Sequence, residues 1–161
     1  RHFLRAGGEG GRHAAVVVLH APVSSAGELL DAVAEAPAEE DERQLAKAVR
    51  EAFTERGFDP IIVSTVDDGL KELRNLKTVD VIWLDHYLLG TGNGLDFVVE
   101  LKNQPEWRTI PIFVVSNSSS SSNIRSYIQL GVSNYYTKAD YDIHQIINDI
   151  EYALSQKGDA S

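Results

Sequence analysis

The chain contains no cysteine, which excludes disulfides, thiol catalysis and cysteine-ligated zinc. It has no methionine either and opens on Arg1, so its native start is expected to be missing or altered. Long apolar runs are absent. The longest aliphatic stretch, AAVVVL from Ala14 to Leu19, is far too short to cross a bilayer, and nothing has the layout of a secretory signal. Positive charge is scarce: 15 Lys and Arg stand against 24 Asp and Glu, a net charge of -9. That balance argues against nucleic acid or an anionic membrane as the main partner and leaves room for a cation or a basic protein. The histidines, His2, His13, His20, His86 and His144, show no i,i+4 pair or other metal-ligand spacing. His86 is therefore expected to face solvent. A cytoplasmic location is the default expectation.

What is present is an ordinary globular balance, 43% hydrophobic and 24% charged over 161 residues, enough for one domain with a real core. Residues 1–13, RHFLRAGGEGGRH, are glycine-rich without periodicity and are expected to form a flexible tail. Residues 14–38 form an atypical strand–helix segment: AAVVVL has strand character, and Ser25 with Glu28 matches a capping box opening a helix with Leu29, Leu30 and Val33 on one face. Pro37 and the acidic run Glu39 to Glu42 interrupt it.

From residue 39 to 155 the pattern is regular, and residues 156–161 read as a tail. Leu45, Ala48, Val49, Ala52 and Phe53 repeat at helical spacing, and Gly57 supplies a stop. Strands are expected at Ile61 to Ser64, in VDVIWLD ending at Asp85, in IPIFVVS ending at Ser116, and at Asn134 to Thr137. Helical stripes lie between them at Leu70, Leu73 and Leu76, at Leu95, Val98 and Val99, and at Ile124, Tyr127 and Ile128. A closing helix carries Ile143, Ile146, Ile147, Ile150 and Leu154. NSSSSSN, Asn117 to Asn123, is expected to be a mobile loop, and GTGNG a turn. Alternating strands and helices imply a doubly wound parallel sheet of the flavodoxin-like kind, covered on both faces, with function at the carboxyl ends of the strands.

Asp85, Ser116 and Lys138 all fall at such ends. A strand-end Asp often does no more than cap its turn. A carboxylate, a hydroxyl and an ammonium meeting at one rim can do more: the carboxylate attacks phosphorus, and the other two bind the phosphoryl oxygens. A divalent cation would neutralise the charge, and Glu40 and Asp41 can supply further carboxylates for it.

In order along the chain, EDE (Glu40 to Glu42), VIWLD, FVVS and NYYTKAD make the region from about Glu39 to Leu154 resemble the receiver domain of two-component response regulators. The resemblance implies a five-stranded sheet of order 2-1-3-4-5 and phosphorylation on Asp85 by a histidine kinase or phosphotransfer protein. It further implies Mg²⁺ bound by Glu40, Asp41, Asp85 and the backbone carbonyl of Tyr87, and phosphate contacts from Ser116 and Lys138. Tyr135 becomes the aromatic that changes rotamer on activation. It implies signalling to a downstream protein target, with a homodimer as one further arrangement, and no enzymatic activity beyond phosphoryl acceptance and slow self-dephosphorylation.

Three departures stand out, one of them a slightly longer loop after Asp85, HYLLGTGNG. Ala139 replaces the proline that commonly follows the lysine. The residues before the acidic pair, EAPAE (Glu35 to Glu39), cannot be the buried first strand that a receiver needs at its centre. Either Ala14 to Leu19 fills that slot, with a helix inserted after it, or the N-terminal part is foreign and the native strand is lost. The first is expected, since an open slot would leave two ladders unpaired. Three functions compete: a phosphorylation switch without an attached output domain; a phosphorylation-deficient pseudo-receiver or engineered, chimeric module serving binding or dimerisation; and an Asp-nucleophile phosphatase. The last is disfavoured because Tyr87 stands where a second Asp is usual.

Overall fold

Five parallel strands form a single sheet in the order β2-β1-β3-β4-β5, as expected. The computed structural model describes residues 14–20, 39–117 and 120–160; the expected tail at residues 1–13 and the helix from Ser25 to Ala36 lie outside them. The strands are β1 (Ala14–Leu19), β2 (Phe58–Val63), β3 (Val81–Leu84), β4 (Ile112–Ser116) and β5 (Asn134–Thr137). Between and after them, among the described residues, run α1 (Glu39–Glu55), α2 (Val66–Asn75), α3 (Gly94–Lys102), α4 (Ser121–Leu130) and α5 (Ile143–Ala160). None of these helices is long and apolar enough to cross a membrane.

As expected, Ala14–Leu19 fills the central slot of the sheet. In β1, Val17 pairs with Ile61 of β2 on one side and Ile82 of β3 on the other. Val16 to Leu19 are fully buried. A β-branched run suits this slot because both faces are covered and successive side chains alternate between them. Val17 and Leu19 join the core beneath α2, α3 and α4, whereas Val16 and Val18 join the one beneath α1 and α5. The amino end of β1 is held by Asp80: its carboxylate accepts from the Ala15 N–H at 2.8 Å, and its own N–H donates to the Ala15 carbonyl at 2.9 Å.

Several boundaries differ from the sequence expectation, among them β3, which ends at Leu84 and not at Asp85. β2 starts at Phe58 and includes Pro60; a proline is tolerated there because β2 is an edge strand. α1 starts at Glu39, so the acidic run lies within the helix instead of ahead of it, where the helix dipole favours carboxylates. The serine-rich stretch is not all loop: Ser120 caps α4 by accepting the Asn123 N–H, and Ser121 to Asn123 form its first turn. GTGNG does make a turn, with Gly90 and Gly92 at positive φ and Asn93 closing a capping box with Asp96.

Candidate functional site

The carboxyl ends of the central strands are stitched together by backbone hydrogen bonds. The Asp85 N–H donates to the Leu19 carbonyl at 3.0 Å, and the His20 N–H to Val63 at 2.9 Å. The Lys138 N–H donates to the Ser116 carbonyl at 2.9 Å, tying the residue after β5 to the end of β4. Parallel pairing therefore delivers Asp85, Ser116 and Lys138 to one rim without any help from loops.

At that rim the Lys138 ammonium lies 2.9 Å from Asp85 Oδ2. Asp85 Oδ1 accepts from the Tyr87 N–H at 3.2 Å, which shapes the turn after β3. Only 5% of Asp85 is exposed. Burial of a carboxylate is costly unless it is paired and hydrogen-bonded, and here it is both. Ser116 is fully buried at the end of β4. Tyr135 is half-buried on β5, its ring 5.6 Å from that of Tyr127 on α4 and tilted to it. The structure thus gathers Asp85, Ser116 and Lys138, with Tyr135 on the neighbouring strand.

Glu40 and Asp41 lie in the first turn of α1, with side chains outside the described ones. α1 runs into β2 at the amino edge of the sheet, so its start returns to the carboxyl rim that carries Asp85. Among the described side chains, the Asp85 carboxylate is of the kind that a hard divalent cation takes. β1 ends at Leu19 and is followed by buried His20, so no carboxylate stands directly after this strand. Among the described side chains, which do not include those of Glu40 and Asp41, no three histidine, aspartate or glutamate groups are clustered as a metal site.

His86 is a correction. It was expected to face solvent, yet only 7% of it is exposed. Its Nδ1 lies 2.7 Å from the Tyr127 hydroxyl, and its Nε2 lies 3.5 Å from Asn123 Nδ2. Burial lowers the imidazole pKa below 6.5, opposed by the carboxylates of Asp85 and Asp96. Burial likewise pushes the Tyr127 hydroxyl far above its ordinary range, helped by Tyr135 and Asp85. The helical stripe contained Tyr127, but nothing in it signalled a polar partner. A small clue was the glycine at position 94, where an added Cβ would collide with the Tyr127 hydroxyl.

Residues 39–151 match the family described as response regulator receiver domain. The phosphate regulon transcriptional regulatory protein PhoB of Escherichia coli is 28% identical over 99 residues, 62% of this chain but only 42% of PhoB. Similar solved structures include the CheY-like receiver domain protein of Methanospirillum hungatei, with a TM-score of 0.70 at 12% identity over 92% of this chain and 98% of that one. Another is the receiver domain of sensor histidine kinase PA1611 of Pseudomonas aeruginosa, described with a magnesium ion in its active site cleft. It has a TM-score of 0.64 at 12% identity over 88% of this chain and 98% of that one. The chain belongs to the response regulator receiver domain family.

Proposed function

We propose that this chain is a phosphoacceptor module of a two-component or phosphorelay system that is phosphorylated on Asp85. The observation that carries the reading is the buried Asp85–Lys138 pair, 2.9 Å apart, at a rim shared with Ser116. An Asp85 oxygen attacks the phosphorus of a phosphohistidine on a kinase or phosphotransfer protein. The P–N bond breaks as the O–P bond forms, and the imidazole leaves with a proton. Lys138 then moves its charge-assisted bond from the carboxylate to a phosphoryl oxygen, and Ser116 supplies a hydroxyl to another. Magnesium, when bound by Asp85, Glu40, Asp41 and the Tyr87 carbonyl, neutralises charge on the transferring group.

Tyr135 is the proposed switch aromatic, and the readout is contact with a downstream protein in the cytoplasm; the chain turns over no substrate of its own. The pseudo-receiver is kept as a second reading because buried His20, and not a carboxylate, follows β1. Incubation with acetyl phosphate, with and without Mg²⁺, followed by intact mass, separates the readings. One phosphoryl adduct supports the switch, no adduct supports the pseudo-receiver, and continued phosphate release supports the phosphatase.

A further inference from the structure

Asp85 and His86 are consecutive, yet their side chains serve different parts of the protein. Asp85 points to the rim and Lys138. The His86 ring is buried and reaches α4 at two places, Tyr127 through Nδ1 and Asn123 through Nε2. Those residues are four apart, so they share one face of α4, one turn from each other. A neutral imidazole has one donor and one acceptor nitrogen, which suits two partners of different kinds.

The surroundings leave this connection little slack. The His86 carbonyl accepts from the Gly94 N–H at 2.9 Å, fixing the start of α3 beneath the ring. A Cβ at Gly94 would meet the Tyr127 hydroxyl, and it would lie 3.0 Å from the Asp85 carbonyl oxygen and 3.2 Å from His86 Cα. Only glycine leaves the space at position 94 that the Tyr127 hydroxyl occupies. Tyr127 is fully buried and also meets the Tyr135 ring, whereas the next residue, Ile128, is 54% exposed. A displacement of Tyr127 is therefore displayed on the outer face of α4.

We propose that His86 is a positioning residue that couples the state of Asp85 to α4 through its bond to Tyr127, setting how α4 presents Ile128 to a partner. This rests on the phosphoacceptor reading above. Loss of the Asp85–Lys138 ion pair frees the turn after β3, and the His86 ring passes that change to Tyr127 and Asn123. The coupling runs beside the contact of Tyr135 with Tyr127, so the buried tyrosine is shared by both.

The test is hydrogen–deuterium exchange of α4 peptides in the full chain, before and after acetyl phosphate with Mg²⁺, with the adduct measured by intact mass on the same samples. Tyr127→Phe keeps the ring and removes the hydroxyl, and His86→Gln is the second variant should the first unfold. In the wild type the adduct is expected to change α4 exchange by about fivefold, the factor carried by one hydrogen bond of average strength. In Tyr127→Phe the same adduct should form with most of that change gone. A full α4 response in both variants overturns the coupling.

A second arm needs no phosphorylation, so failure of the phosphoacceptor reading stays distinguishable. Lys138→Met breaks the resting ion pair and should alter α4 exchange in the wild-type background but not alongside Tyr127→Phe. Equal effects in the two backgrounds also overturn the coupling.

Discussion

Replacing Leu19 by alanine probes whether the N-terminal strand holds the sheet together. Leu19 is fully buried at the end of β1, between Val63 of β2 and Leu84 of β3. Its Cδ2 fills the place where a Cβ at Gly69 would sit only 2.8 Å away, so α2 rests directly on it. Removing three carbons forfeits about 2 kcal/mol of transfer free energy. Ladders on both sides hold the walls apart, so the cavity should collapse little and raise the total to about 3–4 kcal/mol. With a urea dependence of about 1.5–2 kcal/mol per molar, the unfolding midpoint should fall by about 2 M. Val99→Ala, at a position 42% exposed on α3, is the control and should change stability by less than about 0.5 kcal/mol. A shift for Leu19→Ala as small as the control would mean that Ala14–Leu19 does not form the centre of the sheet in solution.

Lys138→Met leaves the Asp85 carboxylate buried without its ammonium and should cost about 3 kcal/mol in urea unfolding. Adding Asp85→Asn should recover most of that, and no recovery would separate the cost from the ion pair. Gly94→Ala should lower stability by about 2 kcal/mol through overpacking. Tyr127→Phe in the same background should return part of it, because the hydroxyl is the nearest atom met. Burial holds the His86 pKa below 6.5, so the unfolded chain takes up a proton that the folded protein refuses. Its contribution to stability is therefore complete above pH 6.5 and is lost as pH falls below that toward the folded pKa. Urea midpoints at about pH 7.5 and about pH 5.5 should differ less in His86→Gln than in the wild type.

The architecture was readable because it rests on local signals. Alternating apolar runs and helical stripes are written into each segment, and β5 was bounded correctly from NYYT alone. The rim was readable for a related reason: parallel strands bring their carboxyl ends together, so Asp85, Ser116 and Lys138 could be placed without side-chain detail. Pro60 hid the first half of β2, since only the sheet order reveals that it occupies an edge. The acidic run looked like an interruption because it follows Pro37 and carries no apolar stripe, although a helix's first turn welcomes carboxylates. His86 was misjudged for a third reason. Its burial depends on Gly94 and Tyr127, which come from two other elements, and a glycine in GTGNG reads first as a turn residue.

Asp85 is the residue proposed to take the phosphoryl group. The most direct measurement is peptide-resolved mass spectrometry after acetyl phosphate treatment, with borohydride reduction to mark the acyl phosphate, on wild type and Asp85→Asn in parallel. The account predicts a mark confined to the peptide containing Asp85 and absent from the variant. A mark on another carboxylate, or one that survives Asp85→Asn, would contradict it.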